Sequence, residues 1–299
     1  MSAFVTGATG TIGRRLLARL GDDVVLTSRN PEKARASIPR GRLVAWDGTA
    51  PLDDAALEGV DTVFHLAGEP VAEGRWTDEK KKRIEQSRVQ GTRALVDAME
   101  RAKTRPRVFV CASAVGIYGS RGDEILTEES APGTSFLAAV CAAWEREAVR
   151  AEELGIRVVR VRTGIVLARE GGALAEMAPL FRTGLAGKLG DGRQWMPWIH
   201  LDDIVALFAF AAKDERVRGA LNGSAPEPVT NETFTHAMGK ALHRPTFMTA
   251  PAFAMRLALG EKAEIVLASQ RAVPAAALAL DFPFAHTSLD LALTDLLAR

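Results

Sequence analysis

The chain contains one tyrosine and two cysteines among its 299 residues. Two thiols cannot build a disulfide framework. Cys111 and Cys141 both lie in apolar runs, where a free cysteine behaves as a small buried hydrophobe, and a reducing compartment fits best. An excess of either charge is also missing. The formal net charge is +1, which leaves no global field to draw a nucleic acid or a membrane surface. The one basic cluster, Lys80 to Arg83, sits between Asp78-Glu79 and Glu85 and reads as a solvated helix face. Long apolar runs are absent too: the best, Ile204 to Ala212, is about half of the ~20 residues a spanning helix needs. The apolar Ala3-Phe4-Val5 comes too early for a signal peptide to precede the first glycines. The expectation is a cytoplasmic protein that acts on a small molecule and binds neither nucleic acid nor membrane. No metal site is expected.

Short β-rich runs alternate with helical patterns through the first half. Strands are expected at Ala3–Thr6, Val24–Thr27, Leu43–Ala45, Thr62–His65, Arg107–Cys111 and Arg157–Arg162. Helices are expected near Ile12–Leu20, Glu32–Ser37, Thr77–Ala102 and Phe136–Leu154. That alternation predicts an α/β fold, a doubly wound parallel sheet of Rossmann type covered by helices on both faces. After Leu167, glycines break the chain into loops around short helices. The apolar helix Ile204–Ala212, led by Asp202-Asp203 as a capping pair, and a short strand at Ala220–Asn222 return to the main sheet. The expected division is residues 1–167, with a returning segment at about 195–223, as the nucleotide-binding domain. Residues 168–194 and 224–299 form a smaller, mostly helical, substrate-side lobe.

The first strand runs into Gly7-Ala8-Thr9-Gly10-Thr11-Ile12-Gly13 and then into a helix. Glycines there permit a tight turn, close approach of backbone N–H groups to a pyrophosphate, and close packing of helix on strand. Strand before and helix after is the context that gives such a pattern weight. The next strand end carries Thr27-Ser28-Arg29-Asn30, where an NAD site normally offers an acidic residue to the ribose 2′-hydroxyl. A carboxylate would repel a 2′-phosphate, whereas Arg29 and Ser28 can bind one, so NADP(H) is the expected cofactor. Asp47 ends the third strand, in reach of an adenine. His65-Leu66-Ala67-Gly68 ends the fourth, beside the adenosine ribose.

These motifs, with Ser113 followed by AVGIYG, resemble the extended short-chain dehydrogenase/reductases, the NAD(P)-dependent epimerases and dehydratases acting largely on nucleotide sugars. SRVQGT (Ser87–Thr92), VCAAWE (Val140–Glu145), VRTGIVL (Val161–Leu167), WMPWIHLDD (Trp195–Asp203) and SQRAVP (Ser269–Pro274) resemble one atypical branch of them, the "epimerase family proteins". The last motif falls in that branch's small C-terminal domain. The resemblance implies that Gly7, Thr9, Gly10, Thr11, Ile12 and Gly13 hold the pyrophosphate, and Ser28 and Arg29 the 2′-phosphate. It implies that Leu66 and Ala67 line the adenosine side, that Arg88 is a further cofactor contact, and that Val166 lies by the nicotinamide through its backbone. A homodimer built on two helices per subunit is also implied.

Ordinary members of that family use Tyr-x-x-x-Lys on the helix after the fifth strand, the lysine lowering the phenol pKa. Counting back from Glu145 puts Leu137 and Cys141 in those positions, and the single tyrosine, Tyr118, has Gly122 four residues on. Ser113 and Tyr118 are the remaining candidates, Ser113 to hold a substrate oxygen beside the nicotinamide and Tyr118 to give a proton. Without a lysine partner a phenol stays near its ordinary pKa of about 10. Two functions stay open: an NADP(H)-dependent oxidoreductase or epimerase-like enzyme, acting on a nucleotide sugar or another small carbonyl compound, and an NADP(H)-binding sensor without catalysis.

Overall fold

The computed structural model describes residues 2–298. Five strands in the first half, β1 (Ala3–Thr6), β2 (Val24–Ser28), β3 (Arg42–Ala45), β4 (Thr62–His65) and β5 (Val108–Ala114), join Arg157–Thr163 and Gly219–Gly223 in one sheet. The order is Gly219–Gly223, Arg157–Thr163, β5, β4, β1, β2, β3, and every pairing is parallel. β1 and β4 are buried along their whole length, which is why they read as unbroken apolar runs rather than as alternation. The strand order reverses between β1 and β4. In such sheets a crevice for ligands opens at that point, outside the carboxyl ends of the strands.

Helices α1 (Thr11–Leu17) and α6 (Leu201–Lys213) pack on one face, over Val5, Leu26, Val110 and Val161. Helices α3 (Asp78–Arg101) and α4 (Phe136–Val149) cover the other, over Phe4, Val63, Phe109 and Val158. The fold is therefore the expected Rossmann-like, doubly wound one. α3 starts where the Thr77 hydroxyl accepts the Lys80 N–H at 3.2 Å, with Asp78 and Glu79 in its first turn. Mid-helix Gly91 has a packing reason: a Cβ there would overlap the Gly48 carbonyl.

Three helix ends differ from the sequence reading. α1 stops at Leu17, three residues before the expected Leu20. Phe136–Leu154 is not one helix: α4 ends at Val149 and tightens into a 3₁₀ turn, Arg150–Leu154, closed by Gly155 at φ +79°. Nor do Asp202 and Asp203 cap α6. The cap is His200, whose Nδ1 accepts the Asp202 N–H at 3.0 Å. Asp202 is drawn instead to Arg15, at 2.7 Å, and Asp203 accepts the backbone N–H groups of Ala285 and His286, each at 2.9 Å.

A third core forms in the second half, where α5 (Gly172–Arg182), α7 (Asn231–Leu242) and the helix Leu289–Leu297 enclose Trp198, Phe234 and Met238. The SQRAVP segment is sewn to the first half: Arg271–Ala272 pairs in parallel with Ile125–Leu126, and the Ser269 hydroxyl donates to the Gly122 carbonyl at 2.7 Å. The two tryptophans of WMPWIHLDD take different places. Trp198 is wholly buried, whereas Trp195 donates to Asp123 at 2.8 Å under the Arg271 guanidinium. Among the described residues no helix is long and apolar enough to cross a membrane.

Candidate cofactor and active site

The candidate residues gather at the carboxyl edge of the sheet. After β1 the chain turns at Gly7, φ +70°, and the Gly10 N–H returns to the Gly7 carbonyl at 3.0 Å. A Cβ on Gly7 would come within 2.7 Å of the Leu66 and Ala67 backbone, and one on Gly13 would overlap the Gly7 carbonyl. The glycines thus let the turn lie directly against the end of β4 and against the helix it starts. Gly10 caps α1 with no side-chain bond, so the first N–H groups of the helix remain without a side-chain acceptor, the usual condition of an anion-binding terminus. Thr9 and Gly10 are exposed, and Thr11 and Ile12 are half-buried.

Behind this turn lies His65, which the sequence reading placed in the cofactor wall. It is fully buried. The Thr6 hydroxyl accepts the Leu66 and Ala67 N–H groups, both at 3.1 Å, and so gives its own proton to His65 Nδ1 at 2.7 Å. The imidazole is neutral with its proton on Nε2, and burial followed by the Arg88 charge pulls its pKa to about 4. His65 thus holds Thr6, and Thr6 holds the backbone that faces the cleft. Thr6 escapes sequence reasoning because a threonine ending a buried strand looks like any other.

At the end of β2, the Ser28 hydroxyl accepts the Asn30 N–H at 3.1 Å and shapes a short turn, and Asn30 caps α2 (Pro31–Ser37) by accepting the Lys33 N–H. Arg29 projects into solvent and has no hydrogen-bond or ion-pair partner among the described residues. Asp47, read from the sequence as an adenine contact, also shapes the turn after β3. Its Oδ1 accepts the N–H groups of Ala50 and Thr49, both at 2.7 Å, and these bonds hold its carboxyl below the usual range. Its Oδ2 makes no hydrogen bond among the described residues.

Arg88 reaches from α3 to the end of β4, donating to the carbonyls of Glu69 at 3.0 Å and Ile84 at 3.2 Å. Its guanidinium lies over the Trp144 ring, 5.2 Å from the centroid, and a Cβ on Gly68 would touch it at 3.2 Å. It is also close enough to Cys141 for its charge to act on that thiol. Burial nevertheless dominates and pushes the Cys141 pKa up to about 12, so Cys141 is an inert core residue. A cation therefore stands beside the position of the family's lysine, supplied by a different helix. Leu137 is half-buried and faces Gly116. Val166 is half-buried on the short strand Ile165–Leu167, in register with Ile199.

Ser113 and Tyr118 are brought together, but beneath the cleft rather than in it. Ser113 is 3% exposed and Tyr118 0%. Ser113 donates to Glu145 Oε1 at 2.7 Å, and Arg162 grips both oxygens of that carboxylate at 2.9 and 3.0 Å. Arg160 adds a third contact at 3.2 Å. Arg162 also donates to the Tyr118 oxygen at 2.9 Å, and the phenol proton goes to Asn222 Oδ1 at 2.7 Å. Burial raises the Tyr118 pKa above its usual value despite Arg162. Neither hydroxyl is free to serve a substrate in this arrangement. The hub, Arg162, carried one signal in the sequence: arginines at 157, 160 and 162 in a strand otherwise made of valine and threonine.

Residues 3–222 match the NAD dependent epimerase/dehydratase family, and residues 250–296 match a domain of unknown function, DUF1731. Epimerase family protein ML0860 of Mycobacterium leprae is 39% identical over 296 residues, covering 97% of this chain and 94% of that protein. The chloroplastic epimerase family protein SDR39U1 homolog of Arabidopsis thaliana is 39% identical over 295 residues, covering 96% and 84%. The crystal structure of human epimerase family protein SDR39U1 (isoform 2) with NADPH is similar with a TM-score of 0.87 at 30% identity, covering 99% of both chains.

Proposed function

Since this chain belongs to the NAD dependent epimerase/dehydratase family, we propose that it binds NADP(H) at the carboxyl edge of its sheet and works as an oxidoreductase on a small carbonyl compound. Arg29 carries the cofactor reading: it is exposed, unpaired among the described residues, next to Ser28, and no carboxylate stands beside it. The human relative with NADPH supports the same choice. The Gly7–Gly13 turn and the start of α1 would hold the pyrophosphate, and Ser28 with Arg29 the 2′-phosphate. Leu66 and Ala67 would line the ribose through a backbone fixed by Thr6, and Arg88 and Val166 would flank the nicotinamide half. The cofactor supplies hydride, and the protein's part is orientation. With Ser113 and Tyr118 committed to the Glu145–Arg162 hub, the proton at the carbonyl oxygen comes from water or from the substrate. A nucleotide sugar is the first substrate class to try.

That same commitment of both hydroxyls favours a second reading, an NADP(H) sensor that performs no chemistry. The deciding experiment identifies any nucleotide retained on purification, titrates NADPH and NADH, and follows NADPH absorbance against a panel of nucleotide sugars and carbonyl compounds. NADH bound as tightly as NADPH overturns the cofactor assignment. Tight NADPH binding with no turnover across the panel selects the sensor.

A further inference from the structure

His200 and His286 stack face to face, their ring centroids 3.6 Å apart and their planes 17° from parallel. His200 ends the strand Trp198–His200, and His286 lies just before the helix Leu289–Leu297. His200 is 3% exposed. Because its Nδ1 accepts the Asp202 N–H, its ring proton sits on Nε2. That nitrogen is buried with no hydrogen-bond partner among the described residues, and Asp295 Oδ2 stands 3.6 Å away. His286 Nδ1 is buried and unpartnered in the same way, 3.5 Å from Asp203 Oδ2.

His200, His286 and Asp295 are close enough together to raise the idea of a metal centre. Two facts oppose it. Nε2 of His200 carries the proton while Nδ1 holds the cap, and two near-parallel rings cannot both aim a lone pair at one ion. What remains is two titratable rings sharing a face. Around them stand Asp202 and Asp203 from the first turn of α6, Arg15 from α1 and Arg19 from the turn just after it, Asp295 from the last helix, and Arg169, which donates to the Asp295 carbonyl at 2.8 Å. One imidazolium is acceptable here: a charged His286 would face Asp203. A second is not. On His200 it must occupy Nδ1, which destroys the bond to the Asp202 N–H and sets two cations 3.6 Å apart.

We propose that the His200–His286 stack is an acid-opened latch, which pins residues 284–288 to the start of α6 and releases them when both rings are protonated. Burial first, and then the charge of His286, hold His200 below its ordinary pKa. A histidine whose pKa is depressed by folding adds stability above the unfolded value of about 6.5, and that stability is lost as the pH falls below it. Trp198–His200 pairs with Ile165–Leu167, so opening also loosens the strand that carries Val166. This second consequence rests on the NADP(H) reading.

Amide hydrogen exchange of the cofactor-free protein at pH 7.5 and 5.5, corrected for intrinsic rates, tests the latch without any ligand. Protection of residues 284–297 should fall several-fold more than that of the rest of the chain, because protonating His200 breaks its bond to the Asp202 N–H. The excess should vanish in His286→Phe, which keeps a stacking face, and in His200→Asn, which keeps an acceptor for Asp202. An excess that persists in both variants, or a loss spread evenly over the chain, overturns the latch. So does stabilisation of the segment by Zn²⁺ that His286→Phe abolishes, an outcome that would restore the metal centre. Should NADPH affinity stay constant between the two pH values while the exchange result holds, only the link to Val166 fails.

Discussion

The Ser113 hydroxyl donates to Glu145 Oε1 at 2.7 Å, across 32 residues of chain. This bond joins the end of β5 to α4, and Glu145 in turn neutralises Arg162 and Arg160. Removing the carboxylate strands two guanidinium groups, one of them buried. Glu145→Ala should therefore cost about 3–5 kcal/mol, while Ser113→Ala, which leaves the ion pairs intact, should cost about 1 kcal/mol. Urea unfolding of both variants measures the difference. Equal losses would mean that the charges do not need each other.

Arg29 should decide which cofactor binds. Charge-assisted hydrogen bonds to a phosphate contribute about 1.5–3 kcal/mol, so Arg29→Ala should weaken NADPH binding roughly 10- to 150-fold. NADH, which has no 2′-phosphate, should lose less than about threefold. Calorimetric titration of both nucleotides gives the ratio, and a parallel loss for the two would remove Arg29 from the site.

Restoring the ordinary catalytic pair should fail for a physical reason. Cys141 is 4% exposed and packs among Val115, Ile117, Tyr118 and Leu126. A lysine there would bury a second cation next to Arg88, so Cys141→Lys should destabilise the fold by about 3 kcal/mol or more. Arg88→Met in the same background should recover part of the loss. Native Cys141 should resist alkylation at pH 8, because its thiol pKa lies up at about 12, and should react once the chain is unfolded. Thermal melts and thiol counting check both statements.

The parallel sheet was legible because strands buried on both faces are continuous apolar runs, and the glycine turn because only glycine fits against Leu66, Ala67 and the helix start. The roles of Ser113, Tyr118 and His65 were not. Each is a polar residue at or just beyond a strand end, and which way such a side chain points depends on partners far along the chain: Glu145 for Ser113, Asn222 for Tyr118, Thr6 for His65. Sequence spacing gives the position of these groups but not their commitments. His200 as the α6 cap was hidden for a related reason, since Asp202 and Asp203 look like better caps until Arg15 and the 285–286 backbone claim them.

His65 should make the protein acid-sensitive as a whole. Its pKa is about 4 in the fold against about 6.5 in an unfolded chain, so the neutral form adds stability above pH 6.5 that is lost as the pH drops toward 4. Between pH 7.5 and 5 this amounts to about 2 kcal/mol. His65→Asn keeps an acceptor for the Thr6 hydroxyl but cannot titrate, so its urea midpoint should fall less over the same interval. An unchanged slope would place the acid sensitivity elsewhere.

Asn222 receives the Tyr118 proton on one side and donates to the Val273 carbonyl on the other, 51 residues further along. This gives the chain a schedule during synthesis. At about 5–20 residues per second, roughly 3–10 s separate the emergence of the Asn222 amide from that of its acceptor. Throughout that interval the nucleotide-binding half has a complete set of strands and an unsealed edge. A nascent chain stalled between residues 223 and 273 would hold an almost finished sheet with Tyr118 still open to water. The small C-terminal domain is thus the part that ends the vulnerable period of biogenesis.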